Sequence, residues 1–159
     1  INESEMEIIA VLTQPDRPAG RGMKIKESPI KKYAKDNQLS FYQPEKIDEE
    51  FTNSIKQLRP DVLIVAAYGL ILPKYFIDIF PKKAFNIHAS ILPKWRGAAP
   101  IQRAIMHGDD QIGVTIMEVV EKLDAGNIYL INSLKRDPKL TTADYFEILA
   151  KDGANLMMQ

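Results

Sequence analysis

Between Pro60 and Gly69 the chain runs DVLIVAAY, an unbroken apolar stretch from Val62 to Ala67. A strand with one wet face alternates apolar and polar residues, whereas an unbroken run belongs to a strand covered on both faces. The neighbours of this run read as helices. Asp48 is placed to cap a helix whose apolar stripe is Phe51, Ile55 and Leu58, and Pro60 stops it. Beyond Tyr68-Gly69, Leu70, Ile71 and Leu72 form an apolar lip before Pro73 and a helix reaching Phe80. Helix, buried strand, helix is the pattern of an α/β chain.

The same alternation continues on both sides. Met6 to Leu12 (MEIIAVL) predicts a short buried strand, Ser28-Pro29 a helix start with an N-cap followed by Pro at N1, and Leu39 to Gln43 a further strand. Gly113 to Val120 and Ile128 to Leu134 predict two strands joined by the turn-rich EKLDAGN. Thr142 is placed to cap a last helix with Phe146, Leu149, Ala150 and Gly153 on one stripe. The expected fold is therefore a three-layer, Rossmann-like α/β domain with a mostly parallel sheet; strand order does not follow from the pattern.

Ala84 to Arg103 carries the densest chemistry. Ala84 to Ala89 predicts a buried strand in which Asn86 and His88 interrupt the apolar run. Residues i and i+2 of a strand share a face about 6.5–7 Å apart, so an amide and an imidazole project together at the strand's carboxyl end, where open α/β sheets place their sites. Pro93 ends the strand, Gly97 permits a tight turn, and Pro100 opens a helix that Gly108 caps. One reading of the pair is two core residues satisfied by the backbone; the other is a site, since buried polar groups need partners. Asp124, ahead of Ala125-Gly126, reads as an Asx-turn residue or as a carboxylate aimed at Asn86 and His88 to orient or charge the imidazole. His107, near a helix end, reads as a favourable charge on the helix dipole.

Composition removes several classes of chemistry. There is no cysteine among the 159 residues, hence no disulfide framework, thiolate nucleophile or cysteine metal site, and with two histidines a multi-histidine metal centre is not expected. No apolar run approaches the roughly 20 residues of a membrane span. Lys+Arg and Asp+Glu balance at 21 each, so positive charge matters only where it concentrates. It does so from Asp16 to Lys32, a stretch that begins in a Pro/Gly-rich loop and carries Arg17, Arg21, Lys24, Lys26, Lys31 and Lys32 against only Asp16 and Glu27. That run reads either as a solvated surface or as a mobile arm that follows a phosphate backbone.

Asn86-Ile87-His88, Ser90-Ile91-Leu92-Pro93 and Leu123-Asp124-Ala125-Gly126 together resemble the family of formyltransferases that use 10-formyltetrahydrofolate. TQPDRPAGRG (13–22), AAYGLILP (66–73) and WRGAAPIQ (95–102) are similar to the branch acting on initiator methionyl-tRNA in translation initiation. The resemblance implies a catalytic set of Asn86, His88 and Asp124, with direct formyl transfer and no metal. It implies folate contacts from Ala66, Tyr68, Gly69, Leu70, Ile71, Ser90, Leu92, Pro93, Leu123 and Asp124. It further implies tRNA contacts from Arg17, Arg21, Lys24 and Lys26. The family begins with a strand and helix ahead of Met6, and this branch adds a carboxy-terminal barrel. Residues 1–159 are thus expected to be one partial catalytic domain, marginal alone, from a bacterial cytoplasmic or organellar enzyme that is monomeric when whole.

Two other readings compete. A folate-dependent formyltransferase could act on a small amine, such as a nucleotide precursor or amino sugar; the basic arm and WRGAAPIQ argue against it. A non-catalytic folate- or nucleotide-binding module would carry a glycine-rich turn after its first strand, and no G-x-G-x-x-G occurs.

Overall fold

Residues 6–19 and 24–159 are described by a computed structural model, in which the chain forms two units. The first runs to Pro60 and resumes over Tyr68–Ile79; the second takes Asp61–Ala67 and Phe80–Gln159. The α/β character expected from the run patterning is present in both.

In the first unit β1 (Val11–Leu12) pairs in parallel with β4 (Phe41–Tyr42), and α1 (Pro29–Asp36) makes the crossover. The run from Met6 was expected to be strand throughout, but only its last two residues pair. Ser28 caps α1 as expected, its Oγ accepting from the Lys31 N–H at 3.1 Å with Pro29 at the helix start. On α1 Ala34 is buried, while Ile30 and Tyr33 are exposed. Asp48 caps α2 (Glu49–Gln57), taking the Phe51 N–H at 2.9 Å. The core gathers Ala34, Ile47, Ile55 and Phe76, with Phe76 of α3 (Lys74–Ile77) stacked on Phe51.

The basic segment, expected as a loop, is a two-stranded antiparallel ribbon where it is described. β2 (Arg17–Ala19) pairs with β3 (Lys24–Lys26), with Arg17 opposite Lys26. Arg21 lies outside the described residues.

The second unit is a four-stranded sheet in the order β5 (Leu63–Ala66), β6 (Ala84–His88), β7 (Gln111–Glu118), β8 (Ile128–Lys135). Parallel pairing is found in β5–β6, as in β1–β4. β6–β7 and β7–β8 are antiparallel, so this edge is a meander, which mixed α/β sheets tolerate. α4 (Pro100–Met106) and α5 (Thr142–Met157) supply the helices.

α5 is capped by Thr141 and not by Thr142, through a capping box in which Asp144 accepts from the Thr141 N–H at 2.7 Å. Its buried stripe is correspondingly Tyr145, Leu149, Gly153 and Leu156, and Phe146 is exposed. Adjacent threonines offer two cap registers, and the one that buries Tyr145 prevails. Gly153 lets α5 approach β6 and β7 closely. A Cβ there would lie 2.5 Å from Ile87 Cγ2 and 3.2 Å from Val114 Cγ2. β8 is an edge of this sheet, and Ile128, Tyr129, Leu130 and Ile131 are exposed.

Candidate active site

β6 ends in the expected pair. Asn86 and His88 share one face, and the register sets them beside Met117 and Thr115 of β7. Ala66, at the carboxyl end of the parallel β5, stands beside Ile87. The loop joining β7 to β8 brings in Asp124. Its Oδ1 lies 3.5 Å from Asn86 Nδ2, and its Oδ2 lies 3.6 Å from His88 Nδ1. All three predicted residues therefore meet although 38 positions separate Asn86 from Asp124. His88 and Asp124 are nearly buried, with 8% and 9% of their side chains exposed, so the carboxylate and the imidazole meet in a place where charge is poorly screened.

Asp124 is held as well as near. Its φ is +46°, a left-handed conformation that a non-glycine residue adopts at a cost of about 1 kcal/mol or more. The Gly97 N–H donates to Asp124 Oδ2 at 2.7 Å. Gly126 allows the turn to close: a Cβ there would sit 2.0 Å from the Glu118 carbonyl oxygen. The Asx-turn reading is set aside by these contacts, since the carboxylate is spent on Gly97 and on the Asn86–His88 pair.

His88 has a defined tautomer. Its Nε2 is 3.0 Å from the Trp95 carbonyl oxygen. A carbonyl only accepts, so Nε2 carries a hydrogen in this bond, and Nδ1 is the nitrogen that faces the Asp124 carboxylate. The alternative of two merely satisfied core side chains accounts for Nε2, but not for the carboxylate gathered at Nδ1.

The loop after β6 is tied down by Thr115, which is fully buried. Its Oγ1 accepts from the Leu92 N–H at 3.2 Å and donates to the Ser90 carbonyl at 2.7 Å. Among the predicted folate contacts Ser90 and Leu92 are buried, while Pro93 and Leu123 are exposed and Leu123 stands beside Gly97. Ser90 Oγ is already used, donating to the Lys94 carbonyl at 2.7 Å. Thr115 and the backbone of Trp95 and Gly97 escaped the sequence reading. The available signals were a lone threonine inside GVTIMEVV and the Trp-Arg-Gly loop itself.

Tyr68, Gly69, Leu70 and Ile71 belong to the first unit. The Tyr68 carbonyl accepts from Gln14 Nε2 at 2.9 Å, Gly69 has φ +80°, and Ile71 is 87% exposed. The Tyr68 hydroxyl is buried without a hydrogen-bond partner among the described residues, and burial pushes the phenol above its ordinary pKa of 10.0. In the ribbon, Arg17 donates to Gln14 Oε1 at 3.2 Å, and the residues at both Arg17 and Lys26 are exposed. Lys24 is placed by its backbone pairing. Among the described residues no helix is long and apolar enough to cross a membrane, and no three His, Cys, Asp or Glu side chains group to hold a metal ion.

Residues 1–159 match the formyl transferase family over their whole length. A methionyl-tRNA formyltransferase from a Sulfurihydrogenibium species is 45% identical over 159 residues, covering 99% of this chain and 51% of the relative. The chain thus spans about half the length of the curated relatives it matches. Among solved structures, the phosphoribosylglycinamide formyltransferase of Bacillus halodurans superposes with a TM-score of 0.80 at 18% identity, covering 98% of this chain and 79% of its own. The formyltransferase PseJ of Anoxybacillus kamchatkensis, in complex with an amino-sugar nucleotide and tetrahydrofolate, gives a TM-score of 0.64 at 22% identity, covering 94% and 72%. At these identities the solved structures speak to the fold, which is that of the Rossmann-like formyltransferases.

Proposed function

The chain belongs to the formyl transferase family, and on that premise we propose that it is catalytic machinery for moving a formyl group from 10-formyltetrahydrofolate to the α-amine of initiator methionyl-tRNA. The observation that carries the reading is the convergence of Asn86, His88 and Asp124. Attack by a neutral amine on the formyl carbon develops an oxyanion and leaves a proton to be removed. Asn86 has an amide hydrogen beyond the one facing Asp124 and can donate it to the oxyanion. His88 presents Nδ1 as the site that accepts or returns a proton, with Asp124 beside it. The amine nitrogen bonds to the formyl carbon, the bond from that carbon to folate N10 breaks, and the amine proton ends on N10. No covalent enzyme intermediate is required.

The folate donor is supported by the family and by the tetrahydrofolate complex of PseJ. The methionyl-tRNA acceptor is supported by the 45% identical relative, against 18–22% for proteins named for small amines. It is also supported by the ribbon, where Arg17 and Lys26 stand opposite one another and exposed. The test is a transfer assay on the whole protein with labelled donor and three acceptors: methionyl-tRNA, a purine-precursor amine and an amino-sugar nucleotide. Labelling of methionyl-tRNA alone, lost in Asn86→Ala, is expected. Transfer to a small amine alone would discard the acceptor, and transfer to none would discard the chemistry.

A further inference from the structure

Both hydrogen bonds that fix the catalytic pair come from the backbone of one loop. The Trp95 carbonyl holds His88 Nε2, and the Gly97 N–H holds Asp124 Oδ2 two residues later. Neither contact is made by a side chain, so both depend on where the loop backbone lies. What matters is whatever keeps the loop backbone in place. Trp95 itself has φ +61°, Gly97 +83° and Ala99 +54°, so this backbone needs to be held from outside.

The hold comes from Asp109, just past α4. Its Oδ2 accepts from the Trp95 indole N–H at 2.7 Å, and its Oδ1 lies 3.5 Å from Lys94 Nζ. Asp109 is in turn rigid: its N–H donates to the Ala104 carbonyl at 3.0 Å, and its carbonyl accepts from Arg136 Nε at 2.7 Å. The Trp95 ring packs beside the buried cluster of Ile101, Ala104, Ile112, Tyr145 and Leu149 and touches His107, with centroids 4.5 Å apart. The anchor also borders a cleft of about 450 Å³ lined by Ser90, Ile91, Lys94, Trp95 and Asp109 among others, and the indole bond to Asp109 adds a directional hold to that packing.

We propose that Asp109, acting through the Trp95 indole, is a positioning residue: it sets the tautomer of His88 and the aim of Asp124 without touching either substrate. The proposal rests on the formyl-transfer reading for its kinetic consequence, and on geometry alone for its structural one. With the indole released, the Trp95 carbonyl drifts from Nε2 and the hydrogen on His88 divides between its two nitrogens. Misplacement of reacting groups by about 1 Å costs up to about 10²-fold in rate.

The experiment compares Asp109→Ala, Asp109→Asn and Trp95→Phe in the whole protein. Donor kinetics are read alongside ¹⁵N shifts of the His88 imidazole, assigned through His88→Gln. Asp109→Ala and Trp95→Phe should each lower kcat about 10- to 100-fold with the KM for the folate donor unchanged, and should move the His88 nitrogens from one tautomer to a mixture. Asp109→Asn keeps an oxygen for the indole N–H and should stay within about 3-fold of the parent with its spectrum intact. An unchanged His88 spectrum in Asp109→Ala overturns the proposal, as does Asp109→Asn falling as far as Asp109→Ala. Should Asp109→Ala fail to fold, Trp95→Phe against Asp109→Asn decides by the same readings. A parent protein that transfers no formyl group would sink the functional reading, while the imidazole spectra would still judge the anchor.

Discussion

Thr115→Val replaces a hydroxyl with a methyl of nearly the same size at a fully buried point of β7. Volume is conserved, so the effect reports hydrogen bonding. Thr115 Oγ1 satisfies the Leu92 N–H and the Ser90 carbonyl, and valine leaves both in a site no water reaches. An unsatisfied buried donor or acceptor costs about 1–3 kcal/mol. Two in one short segment, able to relax together, should cost about 2–4 kcal/mol. Against a typical domain stability of about 5–15 kcal/mol this is a large loss. Urea denaturation followed by circular dichroism on the whole protein should show a lower midpoint at unchanged slope. Thr115→Ser keeps the oxygen, sheds one methyl and should cost about 1 kcal/mol. The reasoning fails if Thr115→Val lies within about 0.5 kcal/mol of the parent, or if serine is worse than valine. Because the loop leads from His88 to the Trp95 carbonyl, Thr115→Val should also lower kcat more than Thr115→Ser.

Gly153→Ala gains about 0.5–1 kcal/mol of helix propensity but forces a methyl to 2.5 Å from Ile87 Cγ2, an overpacking of about 1–3 kcal/mol. A net loss near 1 kcal/mol is expected in the same urea assay, and a stabilised variant would contradict the close approach of α5 to β6. His88→Ala should cut the transfer rate about 10²- to 10⁴-fold, and near-parental kcat would remove His88 from the chemistry. Replacing Arg17 and Lys26 together by alanine should weaken methionyl-tRNA use and flatten its salt dependence while donor KM holds; a raised donor KM would mean the ribbon serves the folate instead.

On the acid side, the Phe51 N–H and then Lys46 hold Asp48 below its ordinary 3.8, and the Thr141 hydroxyl and N–H do the same for Asp144. A carboxylate depressed in the folded state adds stability above its unfolded pKa, and that stability is lost as pH falls through the folded value. Melting temperature should therefore hold above about pH 4 and drop below it. The acid limb should be shallower in Asp144→Asn, and an unchanged limb would show the capping box to be irrelevant to acid stability.

Local chemistry made much of this legible beforehand. Ser28 and Asp48 cap where their short polar side chains precede apolar spacing, and Asn86 and His88 share a face because any strand has a period of two. Where two local solutions were nearly equal, the pattern could not choose. Thr141 and Thr142 are both adequate caps, and burial of Tyr145 chose the first. Ile128 to Leu134 reads as a strand, but whether it is covered depends on which strand ends the sheet. The basic ribbon needed β2 and β3 to find each other in antiparallel register.

What the amino-acid order determined by itself was therefore most of the elements, the caps Ser28 and Asp48, and the residue types that could do chemistry at the end of β6. Tertiary structure alone decided how those groups are used. The direction of Asp124 depends on a left-handed turn and on the Gly97 N–H, and the tautomer of His88 depends on a carbonyl seven residues away. Backbone donors and acceptors are the same at every residue, so no spelling of the sequence marks which of them will meet a side chain; only the folded path of the loop does.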